Sequence, residues 1–366
     1  MVETKVDTQQ DTSIKSGPVG VAESEMESGA KVPPVLAAYN ITKEFNIPTP
    51  GLQREYIAAV DQVTVALQSK PAKIVSLVGE SGSGKTTLAR IMLGLTPPTR
   101  GVITYNGKPV KELTKAERFD YRRNVQPIFQ DPFAIYNPFY RIDRVLDITI
   151  KNFKLASSKS EALELKREAL QAVDLQPRDV IGRYPHQLSG GQCQRVMLAR
   201  TFLLRPKVII ADEPVSMIDV AVRTLFLNNL LDFRDKYDIS CLFITHHLAT
   251  AYYMGGPMLV LCFGRVVESG NIDQLLANPS HPYTEQLLAA IPSPDPTARW
   301  TERANIKITE RPLVRDFNKC VYVERCPYAM DICRQQRPPD YQVGDDHYAA
   351  CFRHQGKPER VVEVPA

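Results

Sequence analysis

Along the chain the apolar positions follow two rhythms. Short apolar runs, bounded by polar or turn residues, predict strands at Val35–Phe45 (VLAAYNITKEF), Val63–Leu67, Lys73–Val78 and Gly101–Gly107. Further runs do so at Asn124–Gln130, Lys207–Asp212, Ser240–Thr245 and Met258–Phe263. Helical spacing appears within Gly84–Leu95 and in Ser160–Leu175 (SEALELKREALQAVDL), and the middle of the chain, Asp131 to Tyr184, reads as mostly helical. Strands alternating with helices predict an α/β domain built on a largely parallel sheet. No repeat of 20–50 residues interrupts this order.

The ends read differently. Residues 1–34 are polar, rich in Ser, Glu, Thr and Gly, and poor in aromatics. Such a segment buries too little surface to offset its ordering entropy, so a disordered extension is expected. The main domain should span 35–291, with a helical subdomain at about 131–190. From Pro292 the proline and charge content rises, which predicts a boundary and a C-terminal extension over 292–366.

Composition narrows the function. The 366 residues are 43% hydrophobic and 23% charged, which describes a globular chain. The net charge of +4 is small for this length; it argues against a nucleic-acid partner and permits weak attraction to an anionic membrane surface. No apolar stretch approaches the ~20 residues that span a bilayer. The start, MVETKVDTQQ, lacks the apolar core of a signal peptide, so a cytoplasmic protein is expected. Thiols stay reduced there. Four of the seven cysteines nevertheless crowd the end of the chain, at Cys320, Cys326, Cys333 and Cys351, a pattern that points to a metal before a disulfide. Cys193, Cys241 and Cys262 sit in apolar or helical settings and read as packing residues.

The candidate chemistry begins at GESGSGKT: Gly79, Glu80, Ser81, Gly82, Ser83, Gly84, Lys85 and Thr86, followed by Thr87. The run satisfies G-x-x-x-x-G-K-[ST], follows a predicted strand and opens a predicted helix. Its glycines let backbone N–H groups and a helix N-terminus face phosphates. Lys85 would reach the β- and γ-phosphates of a nucleotide, and the Thr86 hydroxyl would ligate Mg²⁺. A plain Gly/Ser turn explains neither the flanking elements nor the Lys-Thr in register. In VIIADEP, Val208–Pro214, an apolar strand delivers Asp212 to its carboxyl end, where open α/β sheets bind ligands. Asp212 would hold the Mg²⁺ through water. Glu213 follows as a candidate general base for an attacking water.

LSGGQ, Leu188–Gln192, lies between these two motifs. Ser189, Gly190, Gly191 and Gln192 would open a helix and offer a second anion-binding surface. With this motif the chain resembles the ATP-binding subunit of an ABC transporter, and the resemblance covers nearly everything from Val35 onward. It implies a P-loop NTPase cassette in which LSGGQ meets the γ-phosphate held by a second cassette. It implies that Gln130 contacts Mg²⁺ or water, that Asp219 of SMID belongs to the loop after the acidic strand end, and that His246 holds the γ-phosphate and the water. His247 stands where that family usually has an acidic residue. Phe45 fits the aromatic that stacks on adenine.

HPYT, within Asn278–Pro292, and FQDPFAIYNP, Phe129–Pro138, resemble the oligopeptide and dipeptide importer branch. Ile135-Tyr136 replaces that branch's usual Ser-Leu, at the face that would meet the membrane subunit. The four C-terminal cysteines, spaced as Cys, Arg-Cys-Pro, Cys and Ala-Cys, match a tail that implies a 4Fe–4S cluster held by Cys320, Cys326, Cys333 and Cys351. A four-Cys zinc site is the main rival. The branch implies two permease subunits, a related second cassette, an indirect link to an extracytoplasmic substrate-binding protein, and a place on the cytoplasmic face of the membrane. An oligosaccharide cargo remains an alternative to peptides, as does a soluble ABC ATPase of DNA repair or translation.

Overall fold

A computed structural model of the chain describes residues 14–16, 33–47, 55–291 and 316–362. Its strands are β1 (Ile14–Ser16), β2 (Leu36–Ile47), β3 (Glu55–Leu67), β4 (Ile74–Val78), β5 (Arg100–Tyr105), β6 (Lys108–Pro109) and β7 (Val125–Ile128). They continue as β8 (Val208–Asp212), β9 (Ser240–Thr245), β10 (Pro257–Cys262), β11 (Arg265–Asn271), β12 (Tyr341–Gly344), β13 (His347–Ala349) and β14 (Arg360–Val362).

The main sheet runs β12-β13-β11-β10-β4-β9-β8-β7. From β10 to β7 its strands are parallel. Every residue of β4, β8 and β9 is buried. Continuous apolar runs such as VIIAD suit this place, since a central parallel strand is covered on both faces. The remaining strands, β11, β13 and β12, attach antiparallel.

The largely parallel sheet expected from the sequence is therefore only part of the fold. The predicted strands at Val35–Phe45, Val63–Leu67 and Gly101–Gly107 fall in a second, antiparallel sheet, β3-β2-β5-β6. Alternation along a strand reports which side chains face the core. It carries no record of which partner completes the hydrogen-bond ladder. Leu36, Ile41 and Val65 of this sheet share one core with Leu77, Ile210 and Ile244 of the main sheet and with Leu88, Ile91 and Met92 of the helix Lys85–Met92.

Helices Arg144–Phe153, Lys159–Gln171 and Pro177–Val180 form the predicted helical middle, and the helix predicted at LSGGQ, Gly190–Phe202, follows it. Ser158 caps the second of them by accepting a hydrogen bond from the Glu161 N–H at 3.1 Å. Leu146, Leu170, Val173, Val196 and Phe202 pack these helices onto Ile209 and Ala211 of β8.

The cysteine-bearing segment builds onto the main sheet, with Glu268 and Ser269 of β11 opposite Ala349 and Tyr348 of β13. The fully buried Glu268 carboxylate fastens the junction. It meets His347 Nε2 at 2.8 Å and accepts the N–H groups of Ser280 at 2.7 Å and His281 at 3.0 Å. The expected boundary at Pro292 lies outside the described residues. So does most of 1–34, although β1 pairs parallel with β14, a long-range contact that composition does not reveal. Among the described residues no helix is long and apolar enough to cross a membrane.

Candidate functional site

The carboxyl ends of β4, β8 and β9 converge on one cavity of about 650 Å³. Gly79, Glu80, Ser81, Gly82, Gly84, Lys85, Thr86 and Thr87 line it, together with Gln130, Glu213 and His246. The loop can wrap this tightly only with glycine at two places. A Cβ on Gly79 would stand 2.1 Å from the Leu261 carbonyl oxygen, and one on Gly84, at φ +108°, would stand 2.2 Å from that of Ala59. Lys85 Nζ donates back to Gly79 O at 2.8 Å and to Glu80 O at 2.9 Å. It also lies 3.9 Å from Glu213 Oε1. Burial pulls the Lys85 ammonium below its ordinary pKa, and the charges of Glu213, Asp212 and Glu80 act against that pull.

Asp212 ends β8, directly before Glu213, and does not itself line the cavity. Burial pushes its carboxyl above the usual range, opposed first by a hydrogen bond from Thr86. Its Oδ1 is buried without a hydrogen-bond partner, as is Ser83 Oγ. A buried carboxylate oxygen with nothing to bind, beside a threonine hydroxyl, is the donor set that a hard cation such as Mg²⁺ takes.

Glu213 turns back over the cavity through a left-handed backbone, φ 46°. Three contacts hold it there. Its N–H donates to Ile244 O at 2.9 Å, its carbonyl accepts from Ser216 Oγ at 2.9 Å, and its Oε2 meets His246 Nδ1 at 3.0 Å. Gln130 Nε2 adds a longer contact to the same oxygen, 3.3 Å. One carboxylate thus faces a cation, an imidazole and an amide, each from a different element. His247 packs its ring 4.0 Å from that of His246. Burial, then the neighbouring His246 and Arg223, lower its pKa.

The remaining predicted residues lie elsewhere. Ser189 caps the helix Gly190–Phe202 in a reciprocal box: its Oγ accepts from Gln192 N at 3.2 Å, and Gln192 Oε1 accepts from Ser189 N at 2.9 Å. Gly191 brings that helix against Val222, where a Cβ would come within 3.0 Å of the valine methyl. Ser189, Gly190, Gly191 and Gln192 do not line the cavity. Neither does exposed Asp219, at the start of the helix Val220–Tyr237. Phe45 is also outside it, half exposed on β2 with Lys43 Nζ 5.3 Å from its ring centre. Of the pair Ile135-Tyr136, only Ile135 is exposed. Tyr136 is buried and donates its hydroxyl to Cys193 O at 2.8 Å, so it cannot form part of an outer face.

Sequence reasoning missed Ala59 and Leu287 in the cavity wall and Tyr283 and Arg325 behind the loop. No local signal marks the first two. Tyr283 and Arg325 stand within quoted motifs, HPYT and Arg-Cys-Pro, whose structural reach the sequence does not disclose.

The expected metal centre at the C-terminus is not supported by the side-chain geometry. Among the described residues no three His, Cys, Asp or Glu side chains gather tightly enough to hold a metal ion. Cys320, Cys326 and Cys351 are half-buried and Cys333 is buried. Burial, first of all, pushes the Cys320 thiol up to about 11, and the other three cysteines add to the rise. Cys193, Cys241 and Cys262 are buried in the core, as packing residues are.

Known proteins resemble this chain over the same segments. Residues 63–216 match the family described as ABC transporter, and residues 267–333 match the oligopeptide/dipeptide transporter C-terminal region. A putative peptide import ATP-binding protein of Brucella ovis is 43% identical over 77% of this chain and 88% of its own length. The di/tripeptide transport ATP-binding protein DppF of Pseudomonas aeruginosa is 36% identical over 87% of this chain and 97% of its own. Among solved structures, the dimeric post-hydrolysis state of the ATP-binding cassette MJ0796, bound to ADP and Pi, superposes with a TM-score of 0.56. That match has 27% identity and covers 65% of this chain and 98% of the other.

Proposed function

The chain belongs to the ABC transporter ATP-binding family, in the branch with the oligopeptide/dipeptide C-terminal region, and from that premise we propose how its residues divide the work. It is the ATP-hydrolysing subunit of a peptide importer. The loop Gly79–Thr87 holds the phosphates through its N–H groups and Lys85. Thr86, Asp212 and Gln130 would hold Mg²⁺, which would supply neutralising charge to the phosphates. Glu213 takes the proton of the attacking water, while His246 and Gln130 orient that carboxylate and the water. Phe45 offers its face to the adenine.

One observation carries the assembly. Ser189, Gly190, Gly191 and Gln192 form a capped helix start that lines no part of the cavity. Their phosphate is therefore the one held by a second, related cassette, with Asp219 at the same junction. Exposed Met217 and Val220, beside Asp219, are apolar positions that such a partner would cover. Phe133, Ile135, Phe139 and Tyr140 are exposed together before the helical region, which favours docking there on two membrane permease subunits at the cytoplasmic face. The extracytoplasmic substrate-binding protein acts only through those permeases. In this layout 35–291 is the cassette, about 131–190 its helical subdomain, 1–34 an N-terminal extension and 292–366 the C-terminal extension.

Cys320, Cys326, Cys333 and Cys351 would hold a 4Fe–4S cluster in this reading, although their side chains are not gathered as a metal-ion site in this structure. The support is chemical: four soft donors lie within one another's electrostatic reach. Backbone hydrogen bonds from Tyr322, Tyr328 and Arg353 reach Cys320, Cys326 and Cys351, each from two residues onward, and such bonds favour thiolates.

Ser189→Arg tests the assembly. In the reconstituted importer it should leave ATP binding to this chain intact and remove hydrolysis at the partner's nucleotide. Loss of this chain's own ATP binding would instead mean that Ser189 serves its own site.

A further inference from the structure

Glu80, the second residue of the phosphate loop, is gripped at three points. Its carbonyl accepts from Lys85 Nζ at 2.9 Å and from Ser83 N at 3.1 Å. Its N–H donates to Tyr283 Oη at 2.8 Å, a contact from the helix Pro282–Ala289. Its carboxylate meets Arg325 on both oxygens, Nη1 to Oε2 and Nη2 to Oε1, each at 3.1 Å. Arg325 immediately precedes Cys326, so the second and third grips come from outside the nucleotide-binding strands.

The Arg325–Glu80 pair is bidentate and mostly shielded, with side chains 20% and 29% exposed. Two parallel charge-assisted bonds fix both position and plane. The guanidinium also lies 5.9 Å from the ring centres of Phe263 and Tyr322, and Tyr322 packs on Tyr283 with ring centres 5.4 Å apart. Arginine, two tyrosines and phosphate loop thus form one packed unit.

Charge gives this unit a consequence. Glu80 lines the same cavity as Lys85 and Thr86. A carboxylate there repels the polyanion that the loop attracts, and low-dielectric surroundings strengthen the repulsion. Arg325 cancels that charge. We propose that Arg325 is a positioning residue of the nucleotide site: from the four-cysteine segment it masks Glu80 and, with Tyr283, fixes the loop, so that ATP affinity depends on that segment being docked. The proposal rests on the reading that this loop binds the phosphates of ATP.

Titration of the purified full chain with Mg-ATP and with Mg-ADP, monitored by calorimetry, tests it. Arg325→Met should weaken ATP binding about tenfold, within the coupling expected of contacting charged groups, and should weaken ADP binding less. Glu80→Gln should tighten ATP binding, because Arg325 then stands uncancelled beside the phosphates. The double variant should lie between the two, near the wild type. Arg325→Lys, which keeps the charge, should recover most of the affinity and covers the case in which Arg325→Met fails to fold. A double variant as weak as Arg325→Met would overturn the masking, as would unchanged ATP binding in folded Arg325→Met. A wild-type chain that binds no ATP would overturn the nucleotide reading itself, and a wild type that binds while the variants break the pattern would overturn only this proposal.

Discussion

His246 Nδ1 stands 3.0 Å from Glu213 Oε2, although the two residues follow different strands of the sheet. The carboxylate that would accept a proton from water is thereby held by an imidazole. Glu213→Gln keeps the shape and removes the base. Turnover should fall at least about 100-fold, the lower end of what a general base contributes, while ATP binding persists. Phosphate release and a nucleotide titration on the same preparation check both halves. Near-normal turnover would remove Glu213 from the proton-accepting role.

Gly84 carries a stability cost that can be isolated. Its φ of +108° strains any side chain, and a Cβ would also stand 2.2 Å from the Ala59 carbonyl. Gly84→Ala should destabilise the fold by about 2–4 kcal/mol in denaturant melts. Gly356 has a similar φ, +94°, with nothing within 4 Å of the added atom. Gly356→Ala should cost about 1 kcal/mol, the backbone term alone. Equal losses at the two positions would show that the Ala59 contact does not matter.

His281 predicts a dependence on pH. It is buried and caps the helix Pro282–Ala289, with Nδ1 accepting the Tyr283 N–H at 3.1 Å. Burial first, then His354 and Arg353, lower its pKa from 6.5 to about 3. Above pH 6.5 the ring is neutral in both folded and unfolded chains, and its contribution is constant. As the pH falls from 6.5 towards 3, the unfolded chain takes up a proton that the folded chain refuses. Stability then falls by about 1.4 kcal/mol per pH unit from this residue. His281→Asn keeps a capping oxygen and cannot titrate. Melts between pH 6.5 and 4 should be steeper for the wild type than for this variant, and parallel curves would refute the shift.

The four-cysteine segment makes a compositional prediction. Protein purified without oxygen should carry about four irons and four acid-labile sulfides per chain. Cys333→Ser should lose most of both. About one zinc per chain with no sulfide would assign the segment to a structural zinc site instead.

Much of the site was legible in the chain because its motifs are local. Gly79 to Thr87 must form a turn between a buried strand and a helix, and the glycines, lysine and threonine have fixed neighbours by covalent connection. Asp212 and Glu213 end an apolar run, and an apolar run of that length has few places to go but the middle of a sheet. Ser189 and Gln192 sit three apart, the spacing of a capping box. Each reading needed only residues close in sequence.

What tertiary structure alone decided involves residues far apart. The split of the strands into a parallel centre and a separate antiparallel sheet depends on ladder partners, which periodicity does not encode. Tyr136 faces inward because Cys193 O lies where its hydroxyl reaches. Arg325 reads in the sequence as a neighbour of cysteine. In the fold it is a clamp on Glu80, because the last strands join β11 and carry that segment behind the phosphate loop. Short-range geometry is written into the order of residues. Long-range charge pairing follows only once the buried surfaces have chosen one another.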